Sequence, residues 1–180
     1  FVSNRDFNPI YSATEWNHAY QDMSKVYFIT LNKNVASPFK PIDDEVSVLD
    51  NNKSEKTKDP KKDAKKNEVK QEVVVKIDWD GIEDRIALIP TAVSNYWNIH
   101  NEGDNVYYME KSSSDSKSSL MMYDLKEKKE IKINSCDGYE ISFDGKKMMI
   151  SNDGKYYVID VPKNSVELKE NVDLSNMNVW

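Results

Sequence analysis

EVVVKIDWDGIEDRIALIP, residues 72–90, is the stretch on which the reading of the fold turns. Its first half is a short apolar run, Val73 to Ile77, that ends at Asp78 and meets Asp80-Gly81, a pair suited to a tight turn. Its second half, Arg85 to Ile89, is another apolar run, closed by Pro90, which has no N–H for a sheet ladder. The whole reads as strand, turn, strand.

The pattern extends downstream. After Glu72 come VVVKID, DRIALIP, YWNIH, NVYYMEK, SLMMYDL, KEIKI, GYEISF, KKMMIS, KYYVIDV and VELKE, each near the five or six residues of a typical strand. All five glycines follow an acidic residue, and four of them form Asp-Gly, which positive-φ turns favour. No convincing helix intervenes, so the chain is expected to be all-β. Three strands end in an apolar residue and Asp, at Asp78, Asp124 and Asp160, spaced by 46 and 36 positions. That brackets the roughly 40–50-residue period of four-stranded propeller blades.

Upstream, RDFNPIYS (5–12) reads as a first strand at a sheet edge, and Trp16, His18 and Tyr20 alternate in an extended segment. KVYFITL (25–31) reads as a central strand buried on both faces. From Asp50 to Gln71 the chain has no aromatic residue, and Ala64 and Val69 are its only apolar ones. Such a segment cannot offset the entropy of ordering, and a disordered, charged surface insertion is expected at about 50–71.

These elements add up to about three four-stranded antiparallel blades of an incomplete β-propeller, within 1–171. The blades are placed at about 5–90, 95–135 and 138–170, with 172–180 as an exit segment toward a following domain. A propeller closes with about four to eight blades. Three would belong to a larger ring or pack in another way, and the chain, which opens on Phe1 and not on Met, is expected to be cut from a longer polypeptide.

Composition narrows the chemistry. With 25 basic against 31 acidic residues and a net charge of −6, nothing suggests a nucleic-acid partner, because phosphate binding needs clustered cations. No apolar run approaches the ~20 residues of a membrane-spanning helix, so a soluble chain without membrane partners is expected. The single cysteine, Cys136, rules out an intrachain disulfide and reads as a small core or strand-end residue. There is no G-x-S-x-G, H-E-x-x-H, phosphate loop, C-x-x-C or calcium loop. His18 and His100 read as structural, and no catalytic residue, metal or cofactor is assigned. Asp78, Asp124 and Asp160, equivalent in successive blades, read as turn caps. Trp16, Trp79 and Trp97 read by default as packing residues, with peptide contact as the alternative.

Arg85 is the one candidate site residue. Its planar fork suits a peptide carboxylate, and a salt bridge to Glu83, Asp84 or a neighbouring blade is the alternative reading.

The residues that carry these readings also resemble a known family. SNRDFNPIYS, KVYFITLNKNVASPF, the charged insertion, VVVKIDWDGIEDRIALIP, SNYWNI, YDLKEKKE and GYEISFDGKKMMI, in that order, resemble the second β-propeller of the tricorn-type proteases. The family's pattern around the central stretch maps onto Ile77-Asp78, Gly81-Ile82, Arg85, Pro90 and Ser94-Asn95-Tyr96. DLSNMNV resembles the lead into the protease core. The resemblance implies a non-catalytic propeller segment of a large serine peptidase with two propellers, a PDZ domain and a catalytic core. That segment would be scaffold and peptide substrate path, partnered by the rest of the polypeptide and by the parent's peptide substrates. The alternative is a stand-alone β-rich module that binds a protein or glycan. Open blade edges could pair with a second copy, and localisation stays open between periplasm or export and cytoplasm.

Overall fold

The computed structural model describes residues 1–6, 9–11, 18–40 and 75–177. The insertion at 50–71, Trp16, Val73 and Val74 lie outside the described residues, as do the last three residues of the exit segment. In chain order the strands are β1 (Val2–Ser3), β2 (Pro9–Tyr11), β3 (His18–Tyr20), β4 (Lys25–Ile29), β5 (Ile86–Leu88), β6 (Asn95–Glu102), β7 (Asn105–Lys111), β8 (Ser119–Asp124), β9 (Lys129–Ser135), β10 (Gly138–Ile141), β11 (Lys147–Asn152) and β12 (Lys155–Asp160). Apart from one 3-10 turn at Glu83–Arg85, every regular element among the described residues is a strand. The strands form sheet one (β1-β4-β5), sheet two (β6-β7-β8-β9), sheet three (β10-β11-β12) and a separate β2-β3 hairpin, with all pairings antiparallel.

Sheet two shows why the strands stack as they do. Successive side chains of a strand point to opposite faces, and β7 is apolar on both. Tyr107 and Met109 join Leu120, Met122 and Ile133 in a core shared with Tyr139, Met148 and Ile150 of sheet three. Val106 and Tyr108 join Tyr123 on the other face, in a core shared with Val26 and Ile89 from sheet one. Sheet two is thus packed between its neighbours, as a propeller blade is. Each fully buried side chain of this size stabilises the stack by about 1.5–3 kcal/mol.

The tight turns follow from local chemistry. At Asp153-Gly154 both residues have positive φ, +49° and +74°, and Asn152 pairs with Lys155 across them. A two-residue turn with both φ positive matches the right-handed twist of the strands it joins. Asp137-Gly138 departs from the expected Asp-Gly turn, because Gly138 opens β10 with an ordinary φ. Gly145 has φ +68°, and a Cβ there would lie 2.5 Å from the Glu102 carboxylate of sheet two. Gly145→Ala is therefore expected to cost about 1–2 kcal/mol of left-handed backbone strain, read as a lowered urea midpoint. Adding Glu102→Ala should recover only the steric share.

Sheet one departs most from expectation. Residues 75–79 form no strand, and β4 pairs directly with β5, Tyr27 opposite Leu88 and Ile29 opposite Ile86. β1 lies along the other edge of β4, at Lys25 and Val26, on the side where another strand of the sheet was expected. Val75 and Ile77 stay exposed, and Asp78 N–H bonds Leu31 O at 3.0 Å. The DRIALIP run begins as the 3-10 turn before it straightens at Ile86. In β4 only Val26 is buried, since among the described residues a neighbouring sheet covers one face of sheet one. Tyr27, on the other face, stacks on Phe1 with Arg5 over its ring. The strand buried on both faces is β7.

Sheet three lacks its expected fourth strand. VELKE crosses instead to the edge of β9, where Val166 N–H bonds Ile133 O at 3.0 Å and Asn134 Nδ2 donates to Val166 O at 2.7 Å. There Val166 and Leu168 pack on the core between sheets two and three. Burial of these two side chains decides the path of the segment.

Candidate functional site

Arg85 sits at the end of the 3-10 turn, where its guanidinium points back into the loop that precedes it. Nε donates to Thr30 O at 2.9 Å, Nη1 to Asp80 O at 2.9 Å and Gly81 O at 3.2 Å, and Nη2 to Asp78 O. Of the five N–H groups of the fork, these bonds engage four. Among the described residues no carboxylate pairs with Arg85, neither Glu83 nor Asp84. Carbonyls take the place of the expected salt bridge, because a tight turn and a strand end leave a cluster of C=O groups without ladder partners.

The three aspartates play different roles. Asp124 caps its own turn, with Oδ1 accepting from Lys126 N at 2.8 Å and Glu127 N at 2.9 Å, and these bonds hold its carboxyl below the usual range. Asp78 instead accepts from Lys33 N, 45 residues away, at 3.1 Å, and pairs with Lys76. Asp160 pairs with Lys147 at 2.7 Å. Equivalent places in the repeat do not bring equivalent bonds.

At the leading edge of sheet two, β6 carries a bulge between Trp97 and His100, and Asn98 there has φ +47°. Asn98 Nδ2 donates to Tyr139 O at 2.7 Å, and Tyr139 OH donates to Asn98 O at 2.6 Å. This reciprocal pair ties the first strands of sheets two and three. Tyr139→Phe is expected to lose about 1 kcal/mol, measured by urea unfolding, while Asn98→Gly keeps the backbone shape and loses the amide bond. Trp97, beside the bulge, is 39% exposed and Trp79 is 73% exposed. Trp79, in the loop before the 3-10 turn, faces solvent, contrary to the packing expected of it. Trp97 pairs with Met109 and so lies on the face of sheet two toward sheet three, on the edge strand where it stays partly open.

A polar hollow of about 320 Å³ lies where sheets one and two meet, with Asn4, Asp22, Ser24, Asn95 and Ser113 in its wall. Asp22, at φ +51°, accepts from Asn95 Nδ2 at 2.6 Å, from Ser112 Oγ at 3.1 Å and from the Ser113 hydroxyl at 2.6 Å and amide. The Ser113 hydroxyl foremost holds its carboxyl below the ordinary range. Sequence reasoning missed this clamp because its donors lie 73 to 91 residues away.

The side chains with reactive chemistry are scattered. Cys136 is buried in the core between sheets two and three, and burial pushes its thiol up to about 11, so it carries no thiolate at neutral pH. His100 is half-buried on β6, opposite Tyr107 of β7. The described residues hold no group of three or more His, Cys, Asp and Glu side chains arranged to bind a metal. No helix of the described residues is long and apolar enough to cross a membrane.

Comparison with known proteins places this architecture. A family model for the tricorn protease second beta propeller domain matches residues 1–162. The chain belongs to the tricorn protease second β-propeller family. Tricorn protease homolog 1 of Streptomyces coelicolor is 25% identical over 173 residues, covering 88% of this chain and 15% of that protein. The crystal structure of the tricorn protease aligns with a TM-score of 0.61 at 17% identity, over 89% of this chain and 14% of that one. The latter likeness is one of fold. Together with the stacked antiparallel sheets, these matches make the chain an open set of tricorn-type propeller blades that spans a small share of its relatives' length.

Proposed function

We propose that this chain is a non-catalytic part of a larger tricorn-type serine peptidase, where it serves as scaffold and as one wall of a peptide path to a catalytic core outside this chain. The second-propeller family match across residues 1–162 carries this reading. The scattered reactive side chains and the raised thiol of Cys136 support it. Its partners would be the remaining blades and core of the same polypeptide and the peptides that pass along it. Discrimination on such a path is steric, supplemented by weak contacts from exposed groups such as Trp97. Arg85 contributes to peptide binding only through the one N–H that its carbonyl bonds leave over, and its main role is to hold the loop.

The chain alone is expected to hydrolyse no peptide; sustained cleavage stopped by a serine-directed inhibitor would overturn the non-catalytic part of the proposal. The path is tested separately, with a photocrosslinking residue placed at Trp97 or at Phe143, a fully exposed residue in the turn between β10 and β11, and an unfolded peptide added. Crosslinking at 97 well above that at 143 is expected, and equal labelling removes the path.

A further inference from the structure

Glu110 occupies an unusual place for a carboxylate. It lies on β7 with the same parity as Val106 and Tyr108, whose side chains pack toward sheet one. It is half-buried, and the hydroxyl beside it belongs to Ser94, a residue only 1% exposed. Ser94 is itself the link between the sheets: Ser24 N–H bonds Ser94 O at 3.1 Å and Ser94 N–H bonds Ser24 O at 3.3 Å, an isolated antiparallel bridge. So the carboxyl stands directly under the backbone contact that joins sheet one to sheet two.

We propose that Glu110 makes this junction pH-dependent, so that sheet one packs most firmly on sheet two when the carboxyl is protonated and loosens as it ionises. No cation among the described residues forms an ion pair with Glu110. It faces the acid Glu130 and Lys132, the one favourable charge, from β9, the acid Asp115 from the β7–β8 loop, and the rings of Tyr96 and Tyr108 from β6 and β7. Glu130 accepts a hydrogen bond from the Tyr108 hydroxyl, which holds that second carboxylate in the same region. The charged groups on the sheet-one side of the Ser24–Ser94 bridge have partners of their own: Asp22 accepts from Asn95, Ser112 and Ser113, and Lys25 pairs with Asp6 at 3.3 Å.

The sign follows from proton linkage. Burial first, then the charge of Glu130, raises the acid's titration above its ordinary 4.5. The folded state then binds more protons than the unfolded one between that ordinary value and the raised one. Stability contributed by the protonated group is full below about 4.5 and is lost as pH rises through the raised value. Each unit of displacement changes the folding equilibrium by about tenfold. The exposed aspartates with lowered titrations act in the opposite sense, and only at more acidic pH, so comparison with a variant isolates Glu110.

The experiment is urea unfolding of the full chain and of Glu110→Gln, at intervals from pH 8 to pH 5. Relative to Glu110→Gln, the parent chain is expected to gain several-fold in folding equilibrium on going from pH 8 to pH 5. Parallel profiles overturn the proposal. So does a Glu110→Gln chain less stable than the parent at pH 8, where the parent carries the ionised group that the neutral amide replaces. Lys132→Gln gives a second, independent reading: loss of the favourable charge should steepen the pH dependence of the parent, and an unchanged slope overturns the role assigned to the ionised carboxyl.

Discussion

Leu120→Ala is expected to lower the stability of this chain by about 2–5 kcal/mol, the cost of deleting a wholly buried side chain whose site cannot fully collapse. Leu120 is fully buried on β8 and packs with Tyr107, Met109, Met122 and Ile133 against Met148 and Ile150 of sheet three. The control is Met149→Ala, one position along β11 from Met148 and 40% exposed on the outer face of sheet three. It should change the urea midpoint by no more than about 0.5 kcal/mol. Similar losses for the two variants would mean that sheet three is covered on both faces, contrary to the stack described here.

Arg85→Ala should have the next largest effect, about 2–3 kcal/mol, since hydrogen bonds from a charged donor each contribute more than neutral ones but share a partly exposed site. It strips a donor from Thr30, Asp78, Asp80 and Gly81 at once. Lys cannot present a planar fork, so Arg85→Lys should recover less than half of the loss despite keeping the charge. If Arg85 served mainly to bind peptide, both variants would unfold with the parent's midpoint and differ from it only in peptide crosslinking.

These two residues also mark where the sequence was legible and where it was not. Sheet two could be read almost residue by residue, because its strands follow one another through short loops and their ladders close locally. Its strands NVYYMEK and SLMMYDL read as strands, but burial on both faces is expected of KVYFITL, whose apolar run has the same character as that of β7. Sheet one draws its strands from Val2, Lys25 and Ile86, with the charged insertion between the last two, and nothing local tells VVVKID that both edges of β4 are taken. The role of Arg85 was hidden for a related reason. Its partners are backbone carbonyls, which every residue carries, so no pattern of side chains records them. Asp22 and Glu110 were missed in the same way: what distinguishes them is the meeting of segments far apart in the chain. A polar residue directly after the apolar alternation of β7 was the one local sign available for Glu110, and it reads equally well as a strand end.

The alternation along β7 has an evolutionary consequence. Tyr107 and Tyr108 are adjacent in the chain, yet each answers to a different neighbouring sheet. Substitutions at successive positions should therefore be compensated in opposite directions, at Met148 or Ile150 for one and at Val26 or Ile89 for the other. Each sheet can drift against one neighbour while holding its fit to the other, so the stack can be remodelled one seam at a time.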